Sequence, residues 1–243
     1  MGSLIELETT GGTIAAYRAD PAGPPRGAVV VIHEVWGLVD HIRDVADRFA
    51  SEGFLAVAPD ILSSVGLPPE VGQELHRLLR SGDDRARSEA QPRLRELLSA
   101  TRSPAYSEWA ISVLTQVVDY AAAQHGGEEP IAVVGFCFGG SYAYALAAED
   151  TRVRFVVPFY GEAPDFATLG DIRGRVLAFY GEQDERVTGK VPELTAAMAE
   201  AGVDFTPIVY PGVGHAFFND TNPVAYDEDT AADAWRRTLD FLS

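Results

Sequence analysis

The sequence predicts an α/β fold, with a mostly parallel central sheet of about eight strands and helices on both faces. Short apolar runs rich in β-branched residues alternate with longer segments whose apolar residues recur at helical spacing. The run 28–33 is apolar throughout, which is typical of a strand buried on both faces. Right-handed crossovers between such units give a parallel sheet that is covered on both sides.

Each element has its own signal along the chain. Gly11-Gly12 separates two short strands and indicates an opening hairpin. Helical spacing of apolar residues starts near residue 41, and Gly53 ends that helix. The predicted strands cover 4–8, 13–18, 28–33, 55–58, 131–135, 153–160, 176–180 and 205–210, and the predicted helices cover about 41–51, 106–124, 139–148, 194–201 and 231–242.

Length and composition favour a single globular domain over 1–243. The apolar fraction is 47% and the charged fraction 23%, which excludes a disordered or fibrous chain. The segment of about 63–104 is polar, contains Pro68-Pro69 and holds many arginines, so two or three helices are predicted there. We interpret this segment as a helical cap or flank inserted into the sheet architecture.

Charge and cysteine content restrict the partners and the compartment. The formal net charge of −17 argues against nucleic acid and against anionic membranes, since both need clustered Lys and Arg. One cysteine excludes an intrachain disulfide, and we find neither a leader-like start nor an apolar run long enough to span a bilayer. We therefore expect a cytoplasmic protein, a monomer or homodimer, whose partner is a small molecule.

A nucleophile motif lies between a predicted strand and a predicted helix. Gly135-Phe136-Cys137-Phe138-Gly139 has the spacing of a nucleophile elbow, in which small residues flank a nucleophile at the top of the sheet. We expect the N-terminus of the following helix to favour the thiolate form of Cys137. The alternative is that Cys137 is a small buried apolar residue at a tight turn.

A thiol that attacks a carbonyl needs a base, and the base needs an orienting acid. Among the five histidines, His215 is the one in a glycine-rich loop after a late strand. Asp184 follows the strand 176–180, with Glu182 and Glu185 as rivals on the same loop. The order nucleophile, acid, histidine is that of the α/β-hydrolase fold. The alternatives are a surface histidine and a solvated charged turn.

Two backbone N–H groups are expected to form an oxyanion hole. One is that of Phe138, directly after the nucleophile, and the other is that of Val35, in the loop after the third strand.

These motifs together resemble the dienelactone hydrolase (carboxymethylenebutenolidase-like) family of the α/β-hydrolases. The resemblance rests on 31–38, 58–60, 135–140, Gly181-x-x-Asp184 and Gly214-His215-x-Phe217, and it covers about residues 5–243. It implies a Cys-His-Asp triad that hydrolyses an enol lactone. It also implies that Glu34 helps to form the thiolate when substrate binds. The alternative is that Glu34 is a loop carboxylate that makes local hydrogen bonds.

The positions for substrate recognition differ from the family pattern. Its best-known lactonases bind a substrate carboxylate through an arginine four residues after the histidine, where this chain has Asn219. Arg77 and Arg80 are candidates for a second arginine. Trp36, Phe138, Phe217 and Phe218 are expected to line an apolar or aromatic pocket, although each is also consistent with a core position.

No cofactor is expected. His33-Glu34 does not begin a zinc motif because position 37 is glycine, and no glycine-rich nucleotide loop is present. Three functions stay open. The first is a cysteine-dependent hydrolase of a lactone or activated ester, the second a general carboxylesterase or other acyl hydrolase, and the third a non-catalytic protein that binds a ligand or senses redox state through its thiol.

Overall fold

The computed structural model describes residues 1–125 and 130–243, which hold eight strands and eight α-helices. The strands are β1 (Ser3–Thr9), β2 (Gly12–Ala19), β3 (Ala28–Ile32), β4 (Leu55–Pro59), β5 (Ile131–Phe136), β6 (Val153–Phe159), β7 (Arg175–Gly181) and β8 (Phe205–Tyr210). The helices are α1 (Asp40–Ser51), α2 (Pro69–Leu79), α3 (Asp84–Leu97), α4 (Pro104–His125), α5 (Phe138–Glu149), α6 (Glu185–Thr188), α7 (Val191–Glu200) and α8 (Glu228–Phe241).

The eight strands form one sheet in the order β1-β2-β4-β3-β5-β6-β7-β8. The pairs β1–β2 and β2–β4 are antiparallel, and every other neighbouring pair is parallel. The predicted α/β class is confirmed. Because the parallel strands end at one edge of the sheet, the loops that follow them gather there.

The apolar run of β3 is explained by helices on both faces of the sheet. Val30 and Ile32 belong to a core that includes residues of α4 and α5. Val29 and Val31 point to the opposite side, into a core that includes residues of α1 and α8. Alternate side chains of a strand leave opposite faces, so a strand covered on both sides must be apolar at every position.

The segment between β4 and α4 is helical. It consists of a 3-10 helix at Ser63–Val65, α2, α3 and a second 3-10 helix at Ala100–Arg102. Helix α2 packs directly on the loop after β3, because a Cβ on Gly72 would lie 1.8 Å from the carbonyl oxygen of Trp36. The segment therefore touches the loop that carries Glu34 and Val35.

No described helix is both long and apolar enough to cross a bilayer.

Glycines permit the close approach of strand and helix at the turn between β5 and α5. A Cβ on Gly135 would lie 2.0 Å from the carbonyl oxygen of Gly139, and a Cβ on Gly139 would lie 2.2 Å from that of Ile32. On Gly140 it would lie 2.8 Å from the Cα of Gly161. These distances are far inside van der Waals contact and involve backbone atoms, which cannot move aside as a flexible side chain can.

We expect Gly135→Ala to lower the free energy of unfolding by at least about 2 kcal/mol, because the new methyl group overpacks a backbone contact. Urea unfolding followed by circular dichroism measures the loss. Gly170→Ala is the matched control, since a Cβ at that position meets no atom within 4 Å. A Gly135→Ala variant as stable as the control would contradict this account of the turn.

Candidate active site

Cys137 occupies a strained position at the turn between β5 and α5. Its backbone has φ 55° and ψ −113°, a left-handed conformation that non-glycine residues seldom adopt. Two backbone hydrogen bonds fix it: its N–H donates to the carbonyl oxygen of Phe159 at 2.9 Å, and its own carbonyl accepts from Gly140 N–H at 2.9 Å. The sequence-predicted elbow is thus present as a turn.

Cys137 faces a cavity of about 510 Å³. The wall combines the loops after β3 and β6 with α4, α5 and α6, and it includes both residues predicted to supply oxyanion-hole amides. Its lining residues are Val35, Thr101, Ser107, Ile111, Cys137, Phe138, Ser141, Tyr142, Ala145, Tyr160, Glu162 and Arg186.

The surroundings of the Cys137 thiol favour its neutral form. Burial raises the pKa of Cys137 to about 12, and the nearby negative charge of Glu34 adds to that rise. The Phe138 N–H and the Arg186 charge act in the opposite direction and are outweighed. The first amide of α5 does favour the thiolate, as expected from the sequence, but loss of hydration and the Glu34 charge outweigh it.

His215 and Asp184 form a hydrogen-bonded pair. His215 Nδ1 lies 2.5 Å from Asp184 Oδ2. Their loops touch through backbone atoms, because a Cβ on Gly181 would lie 2.4 Å from the carbonyl oxygen of Gly214. The Tyr160 ring packs against the imidazole with ring centroids 4.9 Å apart. Tyr160 also lines the Cys137 cavity, so His215 lies one side chain away from that lining and is not itself part of it as described.

The two rival acids on the Asp184 loop have other surroundings. Glu182 accepts a hydrogen bond from Gly212 N–H at 2.9 Å and so ties the Asp184 loop to the His215 loop. Glu185 starts α6 and is exposed. Asp184 is the carboxylate in contact with the imidazole.

Glu34 is buried and clamped by two neutral donors. The Tyr160 hydroxyl donates to Oε1 at 3.1 Å, and Asn219 Nδ2 donates to Oε2 at 2.6 Å. Burial and the charge of Glu34 raise the pKa of Tyr160 far above its ordinary value, so the hydroxyl stays a donor. The carboxylate is held near the thiol but is already engaged by both oxygens.

His33 fixes the loop that carries Glu34. Its Nδ1 lies 2.8 Å from the carbonyl oxygen of Glu34, and its Nε2 accepts from Ile61 N–H at 3.2 Å. Burial lowers the pKa of His33, which keeps the ring neutral and able to donate on one side and accept on the other.

The two arginines predicted to bind a substrate carboxylate do not line the Cys137 cavity. Arg77 and Arg80 line a separate cavity of about 710 Å³ beside α2. The Arg80 guanidinium lies over the Trp36 ring, 5.3 Å from its centroid, and His76 contacts the same ring edge-on. Trp36 therefore serves as a packing surface for α2, and it is absent from the described lining of the Cys137 cavity.

Three further residues predicted to contact substrate are buried instead. Phe217 and Phe218 are 0% and 1% exposed and belong to the core on the α1 and α8 face. Phe217 packs against Tyr160 and Tyr210 because the chain turns inward after His215. Asn219 is 0% exposed. Its side-chain oxygen Oδ1 accepts hydrogen bonds from the N–H and the hydroxyl of Thr221, and its side-chain Nδ2 donates to Glu34. Its amide supports the carboxylate rather than facing the cavity.

Sequence reasoning missed Tyr160 and Arg186. Tyr160 directly follows β6 at the carboxyl edge of the sheet, and that position alone could have singled it out. Arg186 follows Asp184 by two residues on the short helix α6, for which the sequence showed no helical signal. Among the described residues, no group of His, Cys, Asp or Glu side chains has the arrangement of a metal site.

Comparison with known proteins places this site in a family. Residues 14–243 match the sequence model of the "Dienelactone hydrolase family". A protein of Saccharolobus solfataricus named "Putative carboxymethylenebutenolidase" is 32% identical, and the alignment covers 100% of this chain and 98% of that protein. One of the same name from Escherichia coli K12 is 28% identical, over 100% of this chain and 86% of the other.

A solved structure shows the same similarity in three dimensions. It is described as a "Putative Dienelactone Hydrolase" from Klebsiella pneumoniae, and it superimposes with a TM-score of 0.82. The sequences are 28% identical, and the match covers 100% of this chain and 98% of that one.

The raised thiol pKa predicts slow alkylation of Cys137 by iodoacetamide near neutral pH. Between about pH 7 and pH 9 the rate constant should rise about tenfold per pH unit without a plateau, because the thiolate fraction grows with pH until the pKa is reached. Glu34→Gln removes the nearby charge and should raise the rate at every pH in this range. Intact-protein mass spectrometry measures the modification, since Cys137 is the single cysteine.

Asp204→Asn is the control for the alkylation experiment, because it removes a carboxylate that pairs with Arg175 away from the cavity. It should leave the rate unchanged. A rate that levels off near neutral pH in the wild-type protein would show that the thiol ionises there and would contradict the electrostatic account.

Proposed function

The chain belongs to the dienelactone hydrolase family of ester-bond hydrolases, and we propose that it hydrolyses a lactone or an activated ester through a thioester on Cys137. The observation that carries the proposal is the shared cavity. Cys137 lines it together with Val35, Phe138 and Tyr160, and the His215–Asp184 pair packs against that tyrosine.

In the first step, the Cys137 sulfur attacks the ester carbonyl as its proton passes to His215. Asp184 orients the imidazole and stabilises the positive charge that forms on it. The carbonyl oxygen becomes an oxyanion, to which the N–H groups of Val35 and Phe138 donate. The Phe138 N–H already stabilises negative charge on the sulfur, so its dipole points toward the reacting atoms.

Collapse of the tetrahedral intermediate breaks the ester C–O bond and leaves a thioester. The departing enolate or phenolate takes the proton from His215. A water molecule then attacks the thioester while His215 accepts one of its protons, and the sulfur leaves and regains that proton. Free acid and free enzyme are the products.

Activated substrates suit this nucleophile. An ordinary alkoxide leaves less readily than a thiolate, so the tetrahedral intermediate from a simple alkyl ester tends to return to the starting ester. Enolates and phenolates are better leaving groups and favour the forward reaction. This chemistry favours lactones of enols and activated esters over the general carboxylesterase alternative.

In this proposal Glu34 acts on the thiol before substrate binds. Its charge raises the pKa of Cys137 and so favours the protonated thiol in the free enzyme. The family resemblance assigns it a part in forming the thiolate once substrate binds. The clamp by Tyr160 and Asn219 holds it in place until then. A nucleophilic free thiol also requires a reducing compartment, which favours the cytoplasm.

The proposal predicts that 4-nitrophenyl acetate is turned over by the wild-type protein and not by Cys137→Ala or His215→Ala. Asp184→Asn should lower kcat by at least about a hundredfold, because the imidazole then loses the charge that stabilises its protonated form. Release of 4-nitrophenolate measures the rate. Asp204→Asn is the matched carboxylate control and should keep wild-type activity, since Asp204 pairs with Arg175 on the surface.

Equal rates in the wild type and Cys137→Ala would refute the cysteine mechanism. Equal turnover would indicate a hydrolase that uses another nucleophile, and equal absence of turnover would indicate a protein without this activity.

A further inference from the structure

We propose that this site selects substrates whose acyl part is uncharged and largely apolar, and that the Glu162–Arg186 ion pair in the cavity wall enforces the choice. The inference rests on the proposed function and names its substrate class.

The cavity wall offers mostly apolar contacts to the acyl part of a substrate. Val35, Ile111, Phe138, Tyr142 and Ala145 line it together with Cys137. The polar atoms of that wall are mainly hydroxyl groups, and Ser141 Oγ already accepts from Glu162 N–H at 3.0 Å. An alkyl or aromatic group placed here leaves water and gains dispersion contacts, which favours its binding.

Arg186 is the single cationic side chain of the described lining, and it has an acidic partner within that lining. Its guanidinium pairs with the Glu162 carboxylate of the same lining, at the solvent-facing rim, where the two side chains are 60% and 62% exposed. Glu34 and Asp184 add two negative charges close enough to raise the pKa of Cys137. An anionic substrate that reaches the sulfur therefore meets the negative charges of Glu34 and Asp184, and the one cation of the described lining already has a carboxylate partner.

The other cations that could hold a substrate carboxylate are placed elsewhere. Arg77 and Arg80 line the second cavity, on the α2 side of Trp36, and the Arg80 charge acts there on Glu34 from outside the described lining of the Cys137 cavity. At position 219 the chain has an asparagine whose amide is committed to Glu34. A carboxylate carried into the Cys137 cavity would lose its hydration without gaining a free charged partner, which is unfavourable.

A matched pair of activated esters tests this selectivity. 4-Nitrophenyl pentanoate and the mono-4-nitrophenyl ester of glutaric acid have acyl chains of equal length that end in a methyl group and in a carboxylate. For the wild-type enzyme, kcat/KM for the pentanoate should exceed that for the glutarate by at least about tenfold. Release of 4-nitrophenolate at constant ionic strength gives both values.

Glu162→Gln tests the ion pair, because it leaves Arg186 as an unpaired cation in the wall. The ratio of the two kcat/KM values should then fall by about fivefold or more in favour of the glutarate ester. Glu185→Gln is the matched control. It removes the same charge from the exposed start of α6, outside the lining of the cavity, and should keep the wild-type ratio.

The outcomes separate this inference from the proposed function. If neither ester is turned over, or if both are turned over equally by Cys137→Ala, the proposed function fails and this inference fails with it. If Cys137-dependent turnover favours the glutarate or is equal for the two esters, the proposed function stands and the selectivity is refuted.

If the wild type prefers the glutarate ester and Arg80→Gln loses that preference, carboxylate recognition lies at Arg80. An unchanged ratio in Glu162→Gln refutes the role of the ion pair.

Discussion

The backbone turn at Cys137 is the constraint on which the rest of the site depends. A non-glycine residue held in a left-handed conformation costs about 1–3 kcal/mol, and this cost must be offset by the surrounding structure. The offset comes from close backbone contacts at Gly135 and Gly139, where α5 packs against β5 and β3. Because those contacts leave no room for a Cβ, the direction of the thiol is set by the sheet and not by a flexible loop.

The surroundings of the thiol then decide its protonation. Burial and the Glu34 charge keep it neutral, whereas the Phe138 amide and Arg186 favour the thiolate and are weaker. A raised pKa leaves a smaller fraction of thiolate near neutral pH, and the thiolate is the form that reacts with electrophiles. Glu34 in turn depends on Tyr160, Asn219 and the neutral His33, so residues from three different loops maintain one charge near the sulfur. Helix α2 supports the same loop at Trp36.

Much of this arrangement was predictable from the sequence, for physical reasons. The elbow glycines, the β-branched run of β3 and the Gly181 and Gly214 loops each carry a local signal, because close approach and burial restrict residue type directly. The partner of His215 was less certain, since Glu182, Asp184 and Glu185 differ only in where the loop directs them.

The residues that line the cavity could not be predicted from local sequence signals. Ile111 and Arg186 reach the cavity from helices whose positions depend on tertiary packing. Phe217 lies in the core because the chain turns inward after His215, and the sequence does not mark that turn. The neutral thiol was missed because burial is a property of the assembled fold.

The most direct test of the account is the chemical identity of the acylated residue during turnover. Wild-type enzyme that is acid-quenched while hydrolysing an activated ester should carry the acyl group on the peptide containing Cys137, as shown by mass spectrometry after digestion. Neutral hydroxylamine should remove it, as expected of a thioester. An acyl group on any other residue, or the same adduct yield in Cys137→Ala, would contradict the central role of the thiol.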